Sequence, residues 1–364
     1  MIGRIIIGGD IAPTLLNREL FIKGDTSALI GEKLMEIFRR ADKRVFNLEI
    51  PFADEETPIF KSGPNLIAPT ASVNGYAQMG IDALSVANNH TLDQGKSAFV
   101  RTLEILRENG ITPFGGGVSE AEVKRPYIME VAGKRIGVVS FCEHEFSWFD
   151  DYGVGARGFD PLVSLDEISK HKMDVDYLVV MYHGGREHYR YPSPMLRKVC
   201  RAIAEHGADL ILCQHSHCVG AGEVWNGCEI VYGQGNALFA YEKRSDPCWF
   251  TGMISEIVIE DGEFSVTHYP IERYECGVRL SDDPEILDGY KRRSEECKIP
   301  GFVEARYDEL IDSYSADIER HLSRLANALS KEDISGAVAR NLINCDPHRE
   351  LLIGYLNKYH KMNR

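Results

Sequence analysis

The chain has 364 residues, and 41 Lys+Arg against 55 Asp+Glu leave a formal charge of −14. With 44% hydrophobic and 26% charged residues it has the make-up of a globular protein of one large domain or two, which excludes disorder and fibrous repeats. The acidic balance argues against a polyanion coat, so no nucleic acid is expected as a partner. The apolar run Ile5–Ile7 is too short for a secretory signal. No stretch approaches the ~20 apolar residues of a membrane span, so no membrane partner and a cytoplasmic location are expected. Nine cysteines are scattered without C-x-x-C pairs, as reduced thiols would be.

Short β-branched runs alternate with helical patterns over the first ~270 residues, the mark of an α/β sandwich with much parallel sheet. Arg4–Ile7 reads as a strand. Ser27–Arg40 reads as one helix with Thr26 or Ser27 as N-cap and Ile30, Leu34, Ile37 and Phe38 on one face. The strand Arg44–Leu48 precedes a loop from Pro51 to Pro69, long enough to cover a site. A helix near Ser72–Met79, a strand at Ala83–Ala87 and a helix at Gly95–Asn109 follow. Tyr127–Cys142 reads as a hairpin turning at Gly133, and Tyr177–Tyr182 as a strand buried on both faces. Then come a helix from Pro194 to His206, strands at Asp209–Cys213 and Glu229–Tyr232, and a hairpin turning at Asp261-Gly262. Beyond ~275 the composition shifts to Glu, Lys, Arg, Leu and Ala, which predicts a helical extension over 274–364 after a main domain of 1–273. Those helices offer a surface for homo-oligomer contacts.

The chemistry-bearing residues fall at one kind of place. Asp10 follows the first strand, Glu49 the second, Asn89-His90 the third, His183 the YLVVMY strand, and His215 with His217 the LILC strand. Parallel α/β sheets gather strand C-termini on one edge, where ligands bind. Each residue alone has a bland reading: a cap or turn for Asp10, a turn for Asn88 or Asn89, a backbone contact for His183. Together they bring two carboxylates, an amide and four imidazoles to one edge. Oxygen and imidazole donors without thiolate suit one or two divalent ions of Mn, Fe or Zn.

The order GD, NLE, NNHxLDxG, a strand ending in HGG, GADLILxxHxH and YGQGN resembles the CapA/PgsA group of bacterial capsule and poly-γ-glutamate synthesis proteins. It spans roughly residues 3–270. The resemblance implies a calcineurin-like metallophosphoesterase fold, with two mixed sheets flanked by helices. It further implies Asp10 and His217 on a first metal, Glu49 bridging, and Asn89, His183 and His215 on a second. His90 falls at the position of the acid that protonates a leaving group. Conventional phosphoesterases place a histidine two residues after the first aspartate; here that residue is Ala12, so by the resemblance the first metal site is a ligand short.

Asp93 is placed either to orient the His90 imidazole or to cap the helix starting near Gly95. Arg186, His188 and Arg190 after His183, with Lys61 and Asn65 in the long loop, form a candidate set for an anionic substrate. Gly235-Asn236 is expected to support the histidine loops. His144 reads as a surface residue, and His171, His206, His268, His321, His348 and His360 as structural or exposed. Metal-activated water attacking a phosphoester or similar anionic small molecule is the expected activity. Two alternatives remain at this level: an accessory protein binding capsule polymer or its carrier without hydrolysis, and a γ-glutamyl amide hydrolase using the same site.

Overall fold

The computed structural model describes residues 1–240, 247–328 and 341–360. Two sheets pack face to face. In the first, Gly277–Leu280, Glu263–Tyr274, Thr251–Glu260, Ile2–Ile11, Lys43–Leu48, Ala83–Ser85 and Thr112–Phe114 lie side by side, and Asn236–Leu238 joins the end of Ile2–Ile11. The last four strands of that order run parallel, and Thr251–Glu260 runs antiparallel to the first of those four. The second sheet has the order Gly222–Trp225, Cys228–Val231, Leu210–Gln214, Tyr177–His183, Lys134–Cys142 and Tyr127–Val131, with its four central strands parallel.

Period-two patterning builds four layers from these strands. Ile5 and Ile7 face the second sheet with Val45, Val138, Val179, Leu212 and Ile257, while Ile6 points the other way. On that outer side Ile6, Phe46 and Leu84 meet Leu34, Phe38, Tyr76 and Phe99 of the covering helices. Val139, Leu178, Val180 and Ile211 of the second sheet likewise meet Ile168, Leu196 and Ile203 from the helices Pro161–Met173 and Pro194–Glu205. The apolar run Tyr177–His183 thus reads as a strand covered on both faces, as its sequence predicts.

Several elements differ from expectation, each for a local reason. The single helix over Ser27–Arg40 is two helices, Thr26–Leu29 and Glu32–Arg40. Ile30 bridges Val278, and the Gly31 N–H donates to the Val278 carbonyl at 2.8 Å, so the sheet edge interrupts the helical ladder. The first cap is Asp25, whose carboxylate accepts from the Ala28 N–H. The strand Gly277–Leu280 falls on the segment expected to be helical, and the helices begin at Pro284. They are Pro284–Cys297, Phe302–Ala328 and Asp346–Tyr359; the parts of that segment at 329–340 and 361–364 lie outside the described residues. No helix among the described residues is long and apolar enough to cross a membrane.

The fold's contribution to function is the shared strand edge. A register shift between Ile7 and Asp10 re-aims the end of the first strand. Gly8 and Gly9 permit it: a Cβ on Gly8 would lie 2.1 Å from the Phe46 ring, and one on Gly9 2.5 Å from the Gly235 carbonyl oxygen.

Candidate metal centre

Asp10, Glu49, Asn89, His183, His215 and His217, drawn from strand ends far apart in the chain, meet at the C-terminal edge of both sheets, and all six are buried. Asp10 pairs in register with Asn47 on one side and Asn236 on the other. Its carboxylate accepts from Asn47 Nδ2 at 2.7 Å and from the His215 N–H at 3.1 Å. His183 Nδ1 and His217 Nδ1 stand 3.6 and 3.8 Å from it.

The second group gathers around His183. Its Nε2 is 3.0 Å from Asn89 Oδ1, 3.2 Å from His215 Nδ1 and 3.4 Å from Glu49 Oε1. One nitrogen carries at most one proton, so it cannot donate to three acceptors at once. His217 Nε2 lies 3.8 Å from the same Glu49 oxygen, while its Nδ1 is 2.9 Å from Asn236 Oδ1. Asn236, the first residue of the strand Asn236–Leu238 rather than part of a turn, thereby orients one imidazole of the histidine loop.

Glu49 is the centre of this arrangement. It is fully buried, and neither carboxylate oxygen has a hydrogen-bond partner among the described residues. Burial and the nearby Asp10 charge push its carboxyl well above the usual range. Burial also pushes Asp10 up, but the hydrogen bond and charge of His183 outweigh it and hold Asp10 well below the usual range. Burial lowers His183, yet the Glu49 and Asp10 carboxylates raise it to about 10. His217 falls to about 4 through burial, and His215 falls well below its ordinary value through burial and the charge of His183.

These donors fit a divalent cation. A buried carboxylate whose oxygens find no hydrogen-bond partner is costly, and a cation held between it and the facing imidazoles would compensate it. Two donor sets, Glu49–His183–His215 and Asp10–Glu49–His217, each hold their ligand atoms within 4.8 Å of one another and share Glu49. Ala12, fully buried, adds no donor to the second set. Both His215 (φ 78°) and His217 (φ 54°) sit in left-handed backbone, a conformation that costs a non-glycine residue about 1–3 kcal/mol and clusters at functional sites.

Beside the cluster, His90 Nδ1 is 2.6 Å from Asp93 Oδ2. Asp93 does not cap the following helix: its carboxylate takes the Leu66 N–H, His90 and an ion pair with Lys61. A carboxylate only accepts, so this shorter contact favours the proton on Nδ1 over the Lys61 ammonium 3.3 Å from the same nitrogen, and Nε2 of neutral His90 then carries the lone pair. Burial and the Lys61 charge lower the His90 pKa, against the pull of Asp93.

A cavity of about 550 Å³ opens onto His90, Asn89, His215 and His217. Of the candidate substrate residues, Arg186, His188 and Lys61 line it. Lys61 is committed to Asp93 with its side chain 1% exposed, so it acts on the His90 pair rather than as a free clamp. Asn65 and Arg190 are not among the lining residues: Asn65 ties its own loop through the Ile59 carbonyl, and Arg190 donates to the Val219 carbonyl. The cavity wall also includes Glu145, Trp249, Tyr314 and His348. His348, read from the sequence as structural or exposed, lies on this cavity wall. His144 is half-buried, between Asp151 and the Asn344 carbonyl. His268 bridges Ser255 and Glu229.

Sequence reading passed over Asn47, although it precedes Glu49 by two residues in NLE, the spacing that puts two residues of an extended chain on one face. It also passed over Tyr314 and His348, for which no local signal exists, since only the packing of the C-terminal helices brings them to the edge.

The layered sheets and the donor set define an α/β protein with a candidate divalent-metal centre at its shared strand edge. The family described as bacterial capsule synthesis protein PGA_cap matches residues 3–241, and the chain belongs to it. The chain is 29% identical over 209 residues to the PGA biosynthesis protein CapA of Bacillus subtilis (strain 168), covering 56% of this chain and 54% of that one. To the capsule biosynthesis protein CapA of Bacillus anthracis it is 28% identical over 181 residues, covering 48% and 44%. It thus spans about half the length of these curated relatives. Among solved structures, a hypothetical protein from Thermus thermophilus aligns with 14% identity and TM-score 0.47, over 74% of this chain and 100% of that one. A 5'-nucleotidase precursor from the same organism aligns with 13% identity and TM-score 0.39, over 77% and 54%.

Proposed function

We propose that this chain is a divalent-metal-dependent hydrolase that attacks a phosphoester, or a chemically related bond, in an anionic small molecule. The observation that carries the reading is the buried Glu49 carboxylate, without a hydrogen-bond partner among the described residues and shared by both donor sets. Asp10, Glu49 and His217 would hold one ion, and Glu49, Asn89, His183 and His215 another. The oxygen and imidazole donors suit Mn, Fe or Zn. A bound divalent ion supplies Lewis acidity, lowering the pKa of a coordinated water and offsetting charge on a phosphoryl oxygen.

The chain's own groups do the rest. Asp93 holds the His90 imidazole through Nδ1–H, and Nε2 delivers a proton to the leaving group once it has taken one up. Lys61 keeps Asp93 in place and opposes a standing charge on His90. Arg186 and His188, across the cavity, offer donors to an anionic substrate. The nine cysteines are all free, which supports a reducing compartment such as the cytoplasm.

Metal analysis of the supplemented protein, together with turnover of an aryl phosphate panel, tests the reading. At least one Mn, Fe or Zn per chain is expected, with turnover falling about 10²- to 10⁴-fold in His90→Asn. Substoichiometric metal after supplementation would overturn it.

The printed names of the Bacillus relatives favour a second reading, a non-hydrolytic accessory role in polymer assembly. Polymer binding that survives His90→Asn, with no turnover of phosphoester or γ-glutamyl amide substrates, would select it.

A further inference from the structure

The cavity has two walls of different origin. One is the sheet edge with its donors. The other comes from the C-terminal helices, which lie outside the family-matched residues 3–241. Tyr314 belongs to the helix Phe302–Ala328 and His348 to Asp346–Tyr359, and both line the same cavity as His90, His215 and His217.

This second wall is docked rather than appended. Tyr307, Ile311, Ile318, Leu351 and Tyr355 form their own apolar cluster, and Tyr189 of the loop after His183 packs against it. Glu350 accepts from Ser193 Oγ at 2.6 Å and from the Met195 N–H at 3.0 Å, at the start of the helix Pro194–Glu205. His144 and Asp346 exchange hydrogen bonds, the His144 N–H to Asp346 Oδ2 at 3.0 Å and the Asp346 N–H to the His144 carbonyl at 3.3 Å. The loop carrying Arg186 is therefore held between the sheet edge and these helices.

Arg186 is the residue that this arrangement leaves incomplete. Its guanidinium lies over the Tyr314 ring, 4.7 Å from the centroid, which fixes the plane and leaves its N–H edge as the bonding direction. Its Nε is buried and has no hydrogen-bond partner among the described residues. A buried N–H without an acceptor is costly, and in a chain of net charge −14 a guanidinium left short of acceptors at a cavity wall points to an anion from outside. His348 shares that wall, and burial with the Arg186 charge lowers its pKa to about 4, so at neutral pH it presents a neutral imidazole. A cavity of about 550 Å³ is the size of a small-molecule site.

Resting on the metal-hydrolase reading above, we infer that the substrate is a small molecule with two anionic groups. One is attacked at the sheet edge. The other is seated by Arg186 and His348 on the wall built by the C-terminal helices.

Calorimetric titration of the full-length, metal-supplemented protein with non-hydrolysable probes tests this. The probes are alkylphosphonates and the matching ω-phosphonocarboxylates of two to four carbons, which differ only in the second charge. At least one phosphonocarboxylate should bind about tenfold or more tightly than its matched alkylphosphonate, as a charge-assisted contact provides. In Arg186→Gln that ratio should fall towards one, and in His348→Gln it should fall in the same direction by less. The second variant keeps the test decisive where the first disturbs the loop. No advantage for any phosphonocarboxylate, or an advantage unchanged in both variants, overturns the inference. Metal content measured on the same samples reports separately on the metal reading, because the ratio compares probes that share one phosphonate.

Discussion

The two walls of the cavity are held in opposite ways. On the sheet edge the donors are fixed by strand ladders, as Asp10 is by Asn47 and Asn236, and sit beneath layers of Ile, Val and Phe. On the helical wall, position depends on a small aromatic cluster and a few polar ties such as Glu350 to Ser193. On the proposed function the difference separates two jobs: chemistry that tolerates little misplacement would rest on over-determined strand ends, and recognition on an attachment that can vary without disturbing the donors.

Substitutions should reveal that split. The largest effect is expected at the sheet edge: Glu49→Gln removes the anionic donor common to both sets, so metal content should drop to a minor fraction and turnover below that of His90→Asn. Mass spectrometry of the purified variant checks the first. Asp93→Asn leaves His90 in place but loses the charge that orients it, and should lower kcat by about 10- to 100-fold with metal content retained. Comparable kcat in this variant and the wild type would show that the imidazole needs no such partner.

Under the second sheet, buried Arg157 and half-buried Glu167 form an ion pair, with side chains 4% and 14% exposed. Burial pushes the Glu167 carboxyl up, but hydrogen bonds from Lys124 and Arg157 outweigh it, so its folded value is depressed. A depressed folded value adds stability above the ordinary glutamate range, and that stability is lost as pH falls through the folded value. Glu167→Gln should cost about 3 kcal/mol in denaturant titration at neutral pH, with the gap closing as the solution is acidified through that range.

The smallest effect belongs to the helical wall. Glu350→Gln weakens the tie to Ser193 and Met195 and should cost about 1 kcal/mol. Hydrogen exchange should quicken over 346–359 while the strand Ile2–Ile11 stays protected. Equal quickening in both places would mean that the two walls are one cooperative unit.

Much of this architecture was legible because its signals are local. Period-two runs marked the strands, and the recurrence of Asp10, Glu49, Asn89, His183 and His215 just after them marked the edge. The misreadings share a cause in tertiary contacts. Apolar spacing over Ser27–Arg40 could not reveal that Val278, some 250 residues away, would capture Ile30 and Gly31. Lys61 and Asn65 looked equivalent in one loop, yet one is drawn into the Asp93 pair and the other ties the loop itself. His348 carries no motif, and only the docking of its helix brings it to the cavity wall.

The reciprocal bonds between His144 and Asp346 have a consequence for modularity. A chimera that keeps the strands and exchanges the tail would inherit every metal donor but an open trough in place of a chamber. Such a chimera would recover a closed wall only if the incoming segment brought an acidic residue able to grip the His144 turn.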